Sequence, residues 1–412
     1  MKSKITGEGK FILFLLSPFL ALIASLKSLN TNSSRYVLFF FILFFGFSMV
    51  YDGSLRNDGI YHAVEFQNFG KYSFEYFKRQ ILSFFDYDNP ENVKDIFALT
   101  VKFLVSRFTD NYHFFFWVVS ILYAFFTVKI FKYFAEVNQF SWTIPCVVLL
   151  YIFWKPQPME INGVRFGAAS LITIYCLFKV FVSKRNKFLL LVCITPLIHA
   201  SFIFVFGLLA IIYLTRKFEN FWVFMLFLSF IFSEFSLQLL KDNAYLVQSS
   251  FWAGWVNDYS NFNELYGGDK GSGFYWLTPI FDILSRCFML GMVIIMIKNK
   301  IIIKSDVRTN ELYMVSIIWY TISNFTYAIP SLGERFIGLS FPLIAYIWAI
   351  HFMSTKYIKY LYLFPLCNFI QLKVRLGIYM SLLEPTFFLS PLVNFIKYTA
   401  DFIPASIPFH FF

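Results

Sequence analysis

Charge is what this sequence has least of. Only 14% of its 412 residues are Asp, Glu, Lys or Arg, where roughly 25% is ordinary for a globular domain. So little polar surface cannot solvate a water-soluble body of this size. Cysteine is sparse as well: Cys146, Cys176, Cys193, Cys287 and Cys367 lie in or beside apolar segments, with no pair at metal-ligand spacing. They read as small buried hydrophobes. No internal repeat of roughly 20 to 50 residues is present. The glycine run 267–273 lacks the strand-then-helix setting of a phosphate-binding loop, so it reads as a turn.

What the chain has is continuous hydrophobicity. It is 58% apolar and 23% aromatic, with a mean hydropathy of +0.63. Runs at 11–26, 36–51, 113–131, 188–214, 221–240, 280–297 and 336–352 approach or exceed the roughly 17 to 25 residues that cross a bilayer. A buried helix of a soluble protein is rarely apolar on every face for so long. Shorter or broken runs at 142–154, 164–182, 312–329, 360–370 and 378–396 raise the expectation to roughly eleven or twelve membrane segments. The expected fold is an all-α polytopic membrane protein, a single transmembrane domain over 1–412. The first run follows Lys2, Lys4 and Lys10 like a signal peptide, but Pro18 interrupts it and no small-residue cleavage site follows. It is expected to stay as a membrane segment.

The formal net charge of +11 does not point to nucleic acid. The basic residues flank apolar spans, as at 183–187 and 298–308, which is the pattern of cytoplasmic loops. Placing those loops inside puts 52–111 and 241–275 outside as the two large outer loops. It also makes 188–214 begin and end on one side, as a hairpin of two half-length helices turning near His199. The count then leaves the N terminus outside against its lysines, a conflict that a re-entrant first segment removes. In the first outer loop, 93–108 sets Lys94, Lys102 and Arg107 among apolar residues and is expected to lie along the membrane interface. In the second, Trp252, Trp255, Tyr259, Phe262 and Tyr266 suit either the headgroup belt or stacking on sugar rings.

Four places hold polar groups that a scaffold does not need. Arg56 and Asp58 follow the second span, as an ordinary charged loop or as a cation and a base. Two prolines and Asn162-Gly163 precede Arg165, which puts that guanidinium in the first turn of a helix near the outer boundary. It must snorkel, pair, or meet an anion. His199, beside Ser201, is a general base or a residue that pins a helix break. Glu334-Arg335 opens a late span, as a local ion pair or as a further cation on the outer side. Arginines converging there would suit a diphosphate, whose oxygens match the guanidinium fork. Asp86-Tyr87-Asp88 is the one acidic triplet of metal-binding form, but such triplets arise often in loops. No metal and no cofactor is expected.

Arg56-Asn57-Asp58-Gly59-Ile60-Tyr61, Asn162-Gly163-Val164-Arg165, Ile198-His199-Ala200-Ser201 and Glu334-Arg335 occur in that order. In them the chain resembles the oligosaccharide repeat-unit polymerases of bacterial surface polysaccharides, the Wzy type, and most closely the EpsG-like branch, over about 36–352. Arg56 stands closer to Asp58 than the family pattern has it, and Phe166 stands where that pattern commonly has Gln. The resemblance implies a GT-C-like membrane glycosyltransferase in the bacterial inner membrane, with its active site facing the periplasm. Its substrates would be undecaprenyl-diphosphate-linked oligosaccharides, with membrane lipids and a chain-length regulator as further partners and no nucleic acid. On this reading Arg165, Arg335 and Arg56 bind the diphosphate. His199 or Asp58 removes a hydroxyl proton, and Asn162, Glu334 and Tyr61 support the site. An O-antigen ligase would share the leaving group, and a flippase would bind the same lipid without cleaving it.

Overall fold

Prolines, glycines and side-chain caps decide where the apolar runs stop being helix. The computed structural model describes residues 6–51, 58–86, 89, 91, 93–137, 140–155, 157–242, 278–329 and 332–399. Over these the protein is all-α, without a sheet; an isolated antiparallel bridge joins Met49 to Leu383. Arg56, Tyr87, Asp88, the tryptophans at 252 and 255 and the glycine run 267–273 lie outside the described residues.

Pro18 splits the first run into α1 (Gly7–Leu16) and α2 (Pro18–Leu26), with Ser17 capping the second. The two fold back on each other. Lys10 in α1 donates to Ser28 Oγ at 2.8 Å, just past the end of α2, and to Ser34 Oγ at 2.7 Å, in the first turn of the next helix. Next come α3 (Asn32–Phe47), α4 (Asp58–Phe69), α5 (Phe74–Phe85), α6 (Ile96–Val105) and the long α7 (Tyr112–Val137). α3 and α7 approach closely at Gly46, where a Cβ would stand 3.0 Å from Ser120 Cβ and 3.1 Å from the Phe116 carbonyl oxygen. Gly46→Val is expected to overpack this contact by about 1 to 3 kcal/mol and so lower the melting temperature in detergent. An unchanged melting temperature would mean that the helices part freely.

Lys102 does not lie on the polar face that the 93–108 pattern suggested. It is buried, ion-paired with Glu65 and near the Phe69 and Phe115 rings. The two-faced helix of this region is α5, which turns Phe74, Leu82 and Phe85 outward while Gln80 and Ser83 are buried. Apolar side out, it suits a bilayer surface.

α8 (Ile144–Phe153) leads through a 3-10 turn (Pro158–Gly163) into α9 (Arg165–Leu177), which continues as a π turn over Phe178–Val182. The run 188–214 is broken at His199, with α10 (Leu189–Val192) and α11 (Thr195–Ile198) before it and α12 (Ile203–Thr215) after. Both flanks of that run reach one carboxylate: Lys184 Nζ and Arg216 Nη1 lie 3.2 and 2.9 Å from Glu311 oxygens. Then follow α13 (Glu219–Ile231), α14 (Ser233–Asp242), α15 (Thr278–Lys298), α16 (Lys300–Ser305), α17 (Asn310–Phe325), α18 (Gly333–Ile337) and α19 (Phe341–His351). α20 (Phe364–Ser381), α21 (Thr386–Leu389) and α22 (Pro391–Thr399) complete the described chain. Glu219, at the head of α13, pairs with Lys300 and Lys304. The basic loops are thereby tied together at one end of the molecule.

Among the described residues, Tyr112–Val137, Arg165–Val182 and Ile280–Lys298 are the three helices long and apolar enough to cross a membrane. Others, such as Asn32–Phe47 and Arg335–His351, are apolar but shorter. The shortfall against the hydropathy runs has a local cause. Pro18, the break at His199 and the 3-10 turn Gly338–Ser340 ahead of Pro342 interrupt helices without interrupting hydrophobicity.

Candidate active site

Well-separated stretches of the chain meet in one cavity of about 280 Å3, lined by Asp58, Asn162, Arg165, His199 and Arg335 together with Glu160, Phe166 and Leu382. It opens at the head of α9. Lys184 lies past the far end of the same helix, Arg165–Val182, about 27 Å away at 1.5 Å per residue. The cavity and the tied basic loops are therefore at opposite ends.

Arg165 is aimed by a strained entry. The 3-10 turn ends at Gly163, and the next residue, Val164, is fully buried with φ 52° and ψ −56°. A β-branched residue at positive φ is costly and persists only where the surroundings enforce it. Here Tyr123 Oη donates to the Glu160 carbonyl oxygen at 2.7 Å and fixes the turn from below. Arg165 Nη1 then donates to Asp95 Oδ2 at 2.7 Å. Asp95 also caps α6, accepting from the Ala98 amide at 3.0 Å. Burial pushes the Asp95 carboxyl above its ordinary range, against the pull of the Arg165 charge. The arginine is held without being consumed: its side chain keeps 23% exposure, against 4% for Asp95, and it still lines the cavity.

Aromatic packing brings the other elements in. Phe336 in α18 stands 5.5 Å from the Phe166 ring and 5.1 Å from Phe202, and its carbonyl accepts from Trp319 Nε1 at 3.0 Å. Phe166 also meets Phe202 at 5.2 Å and the His199 ring edge-on at 5.5 Å. Contacts of this kind contribute about 0.5 to 1.5 kcal/mol each beyond their area. They pin the heads of α9, α12 and α18 around one hub. Arg335 rests 5.4 Å over the Phe166 ring, is exposed, and has no ion-pair partner among the described residues.

His199 is extended (φ −155°, ψ 115°), and its Nδ1 accepts from the Ser201 amide at 3.3 Å and lies 2.8 Å from Ser201 Oγ. A ring nitrogen that accepts carries no proton, so the neutral imidazole holds its hydrogen on Nε2. His199 thus offers a donor. Asp58 opens α4, is exposed, and is the nearest side chain to Gly163, where a Cβ would lie 3.8 Å from its Oδ2. Asn162 Oδ1 is buried at the cavity wall and has no hydrogen-bond partner among the described residues. Tyr61 is 66% exposed and is not among the lining residues. Glu334 falls in α18, and nothing further is described for it.

Sequence reading missed Asp95, Glu160 and the hub role of Phe166. It also passed over His62, one turn on from Asp58 in α4, whose buried imidazole is held well below its usual range by burial and then by the Lys102 and Arg165 charges. Asp95→Asn keeps a capping side chain but weakens a charge-assisted bond of about 1.5 to 3 kcal/mol. The loosened pair is expected to lower the melting temperature; an unchanged melting temperature would mean that Asp95 does not hold Arg165. Among the described residues, no three His, Cys, Asp or Glu side chains gather at metal-binding distances.

Fold and cavity together define an all-α membrane protein that carries two guanidinium groups into one polar cavity. A sequence model of the EpsG family matches residues 70–385, and the chain belongs to that family. Membership links it to the Wzy-type polymerases, which act on lipid-linked oligosaccharides. The match includes Asn162, Arg165, His199 and Arg335 but begins after Asp58. Neither a curated protein nor a solved structure matches the chain.

Proposed function

We propose that this protein polymerises undecaprenyl-diphosphate-linked oligosaccharide repeat units at the outer face of the bacterial cytoplasmic membrane. The observation that carries the reading is the convergence of Arg165 and Arg335, from distant segments, on one cavity with Asp58 and His199. A sugar hydroxyl of one lipid-linked unit attacks the anomeric carbon of the chain carried by a second. The bond from that carbon to the diphosphate oxygen breaks, and undecaprenyl diphosphate leaves with the electron pair. Arg165 and Arg335 balance the charge that grows on the leaving group. Asp58 takes the hydroxyl proton. His199, protonated on Nε2, donates a hydrogen bond instead of accepting one.

Charge and the folded-back segments support the sidedness. With the Glu311 and Glu219 clusters in the cytoplasm, the run 188–214 enters and leaves on that side as a re-entrant hairpin. α1 and α2 do the same, which leaves Lys10 on the cytoplasmic side as the positive-inside bias prefers.

The test is incubation of the purified protein with a defined undecaprenyl-diphosphate repeat unit alone. A polymer ladder and free undecaprenyl diphosphate are expected, both unchanged by EDTA, since guanidinium groups supply the positive charge. Polymer only when a lipid A core acceptor is added would mean a ligase. Binding without any diphosphate release would mean a transporter.

A further inference from the structure

A second polar cavity draws on two of the same chain segments as the first. It measures about 70 Å3 and is lined by Lys155, Asp282, Ser285, Arg286, Tyr327 and Asn368, with Ile337 and Gly338 closing one side. Lys155 precedes the 3-10 turn that carries Asn162, and Ile337 and Gly338 directly follow Arg335. The segments 155–166 and 333–341 therefore give residues to both cavities.

Arg286 sits inside the apolar helix Ile280–Lys298, where a guanidinium is costly without a purpose. It is tethered, not neutralised, by what holds it. Nε and Nη2 donate to Asn324 Oδ1 at 3.0 and 2.7 Å, and Asn324 Nδ2 in turn donates to Ser229 Oγ at 2.8 Å. The guanidinium carbon stands 3.9 Å over the Tyr327 ring. Nη1 makes no hydrogen bond among the described residues. On the preceding turn Ile283 and Leu284 are exposed apolar side chains, so a lipid-facing surface adjoins the fixed fork. Lys155 and Asp282, one of each sign, line the cavity beside the Arg286 guanidinium. At about 70 Å3 against 280 Å3 it is the smaller of the two cavities, in keeping with a phosphoryl group as its occupant.

Resting on the polymerase reading above, joining two lipid-linked units requires two polyprenyl diphosphates to be present at once. We propose that the Arg286 cavity is a second phosphate subsite, which holds the phosphoryl group of the second polyprenyl-diphosphate lipid while the first occupies the cavity of Arg165 and Arg335. A membrane phospholipid offers the same phosphate on a hydrocarbon tail, so the test carries an arm for each source.

The experiment is native mass spectrometry of the full chain in neutral detergent, titrated with a short-chain polyprenyl diphosphate, beside a polymerisation assay. The wild type is expected to bind two equivalents. Arg286→Gln and Arg335→Gln are each expected to bind one, and Lys155→Gln, which leaves the Asn324 tether intact, to weaken the second equivalent about tenfold, the loss of one charged contact. Melting temperatures show that each variant is folded. One equivalent in the wild type, or two in both Arg286→Gln and Lys155→Gln, overturns the subsite. Loss of the second equivalent to equimolar phosphatidylglycerol assigns the cavity to bulk phospholipid and overturns the substrate assignment. Two equivalents with no polymer would leave the subsite standing and overturn the polymerase reading alone.

Discussion

Arg165→Ala is expected to slow polymer formation by roughly a hundredfold or more, the usual cost of removing one well-placed donor from a developing oxyanion. Arg165 has the attributes such a donor needs: a strained, buried entry at Val164, an anchoring bond to Asp95, and a remaining face on the cavity. Alanine also leaves Asp95 buried and unpaired, which by itself destabilises a protein by about 3 to 5 kcal/mol. Arg165→Lys separates the two effects. It keeps a cation for Asp95 but loses the second arm of the fork, so the melting temperature is expected to stay near wild type while the rate remains at least tenfold down. Full activity of the lysine variant would mean that Arg165 acts only as a structural charge.

Asp58→Asn is expected to lower kcat by about a hundredfold to ten-thousandfold, the range for loss of a general base, and to leave affinity for undecaprenyl diphosphate unchanged. Asparagine preserves size and cannot accept the hydroxyl proton. The comparison with His199→Gln decides between the two candidate bases. Because Nδ1 of His199 accepts from the Ser201 amide, the ring has its proton already on the other nitrogen, and its loss costs one hydrogen bond, about tenfold. A larger loss from His199→Gln than from Asp58→Asn would reverse the assignment.

Much of the candidate site was legible in the sequence because polar groups at membrane depth are conspicuous against an apolar background. Asp58, Asn162, Arg165, His199 and Arg335 stand out for that reason, and all line one cavity. What holds them was not legible. The Asp95 partner of Arg165 lies 70 residues away in sequence, on a helix whose own pattern spoke only of an interface. Phe166 looks in sequence like one more aromatic among the 59 phenylalanines; only packing reveals it under both Arg335 and His199. Hydropathy likewise overstated helix length, since it sums side chains and is blind to a backbone that turns at Pro18 or His199. The burial of Lys102 against Glu65 is the same lesson in charge: a periodic stretch fixes which residues share a face, not which face finds a partner.

The most direct measurement is a structure of the protein with undecaprenyl diphosphate bound. The account predicts phosphoryl oxygens within hydrogen-bonding reach of both Arg165 and Arg335, with the polyprenyl tail leaving toward the lipid. A diphosphate held elsewhere, with those two guanidinium groups untouched by it, would contradict the account.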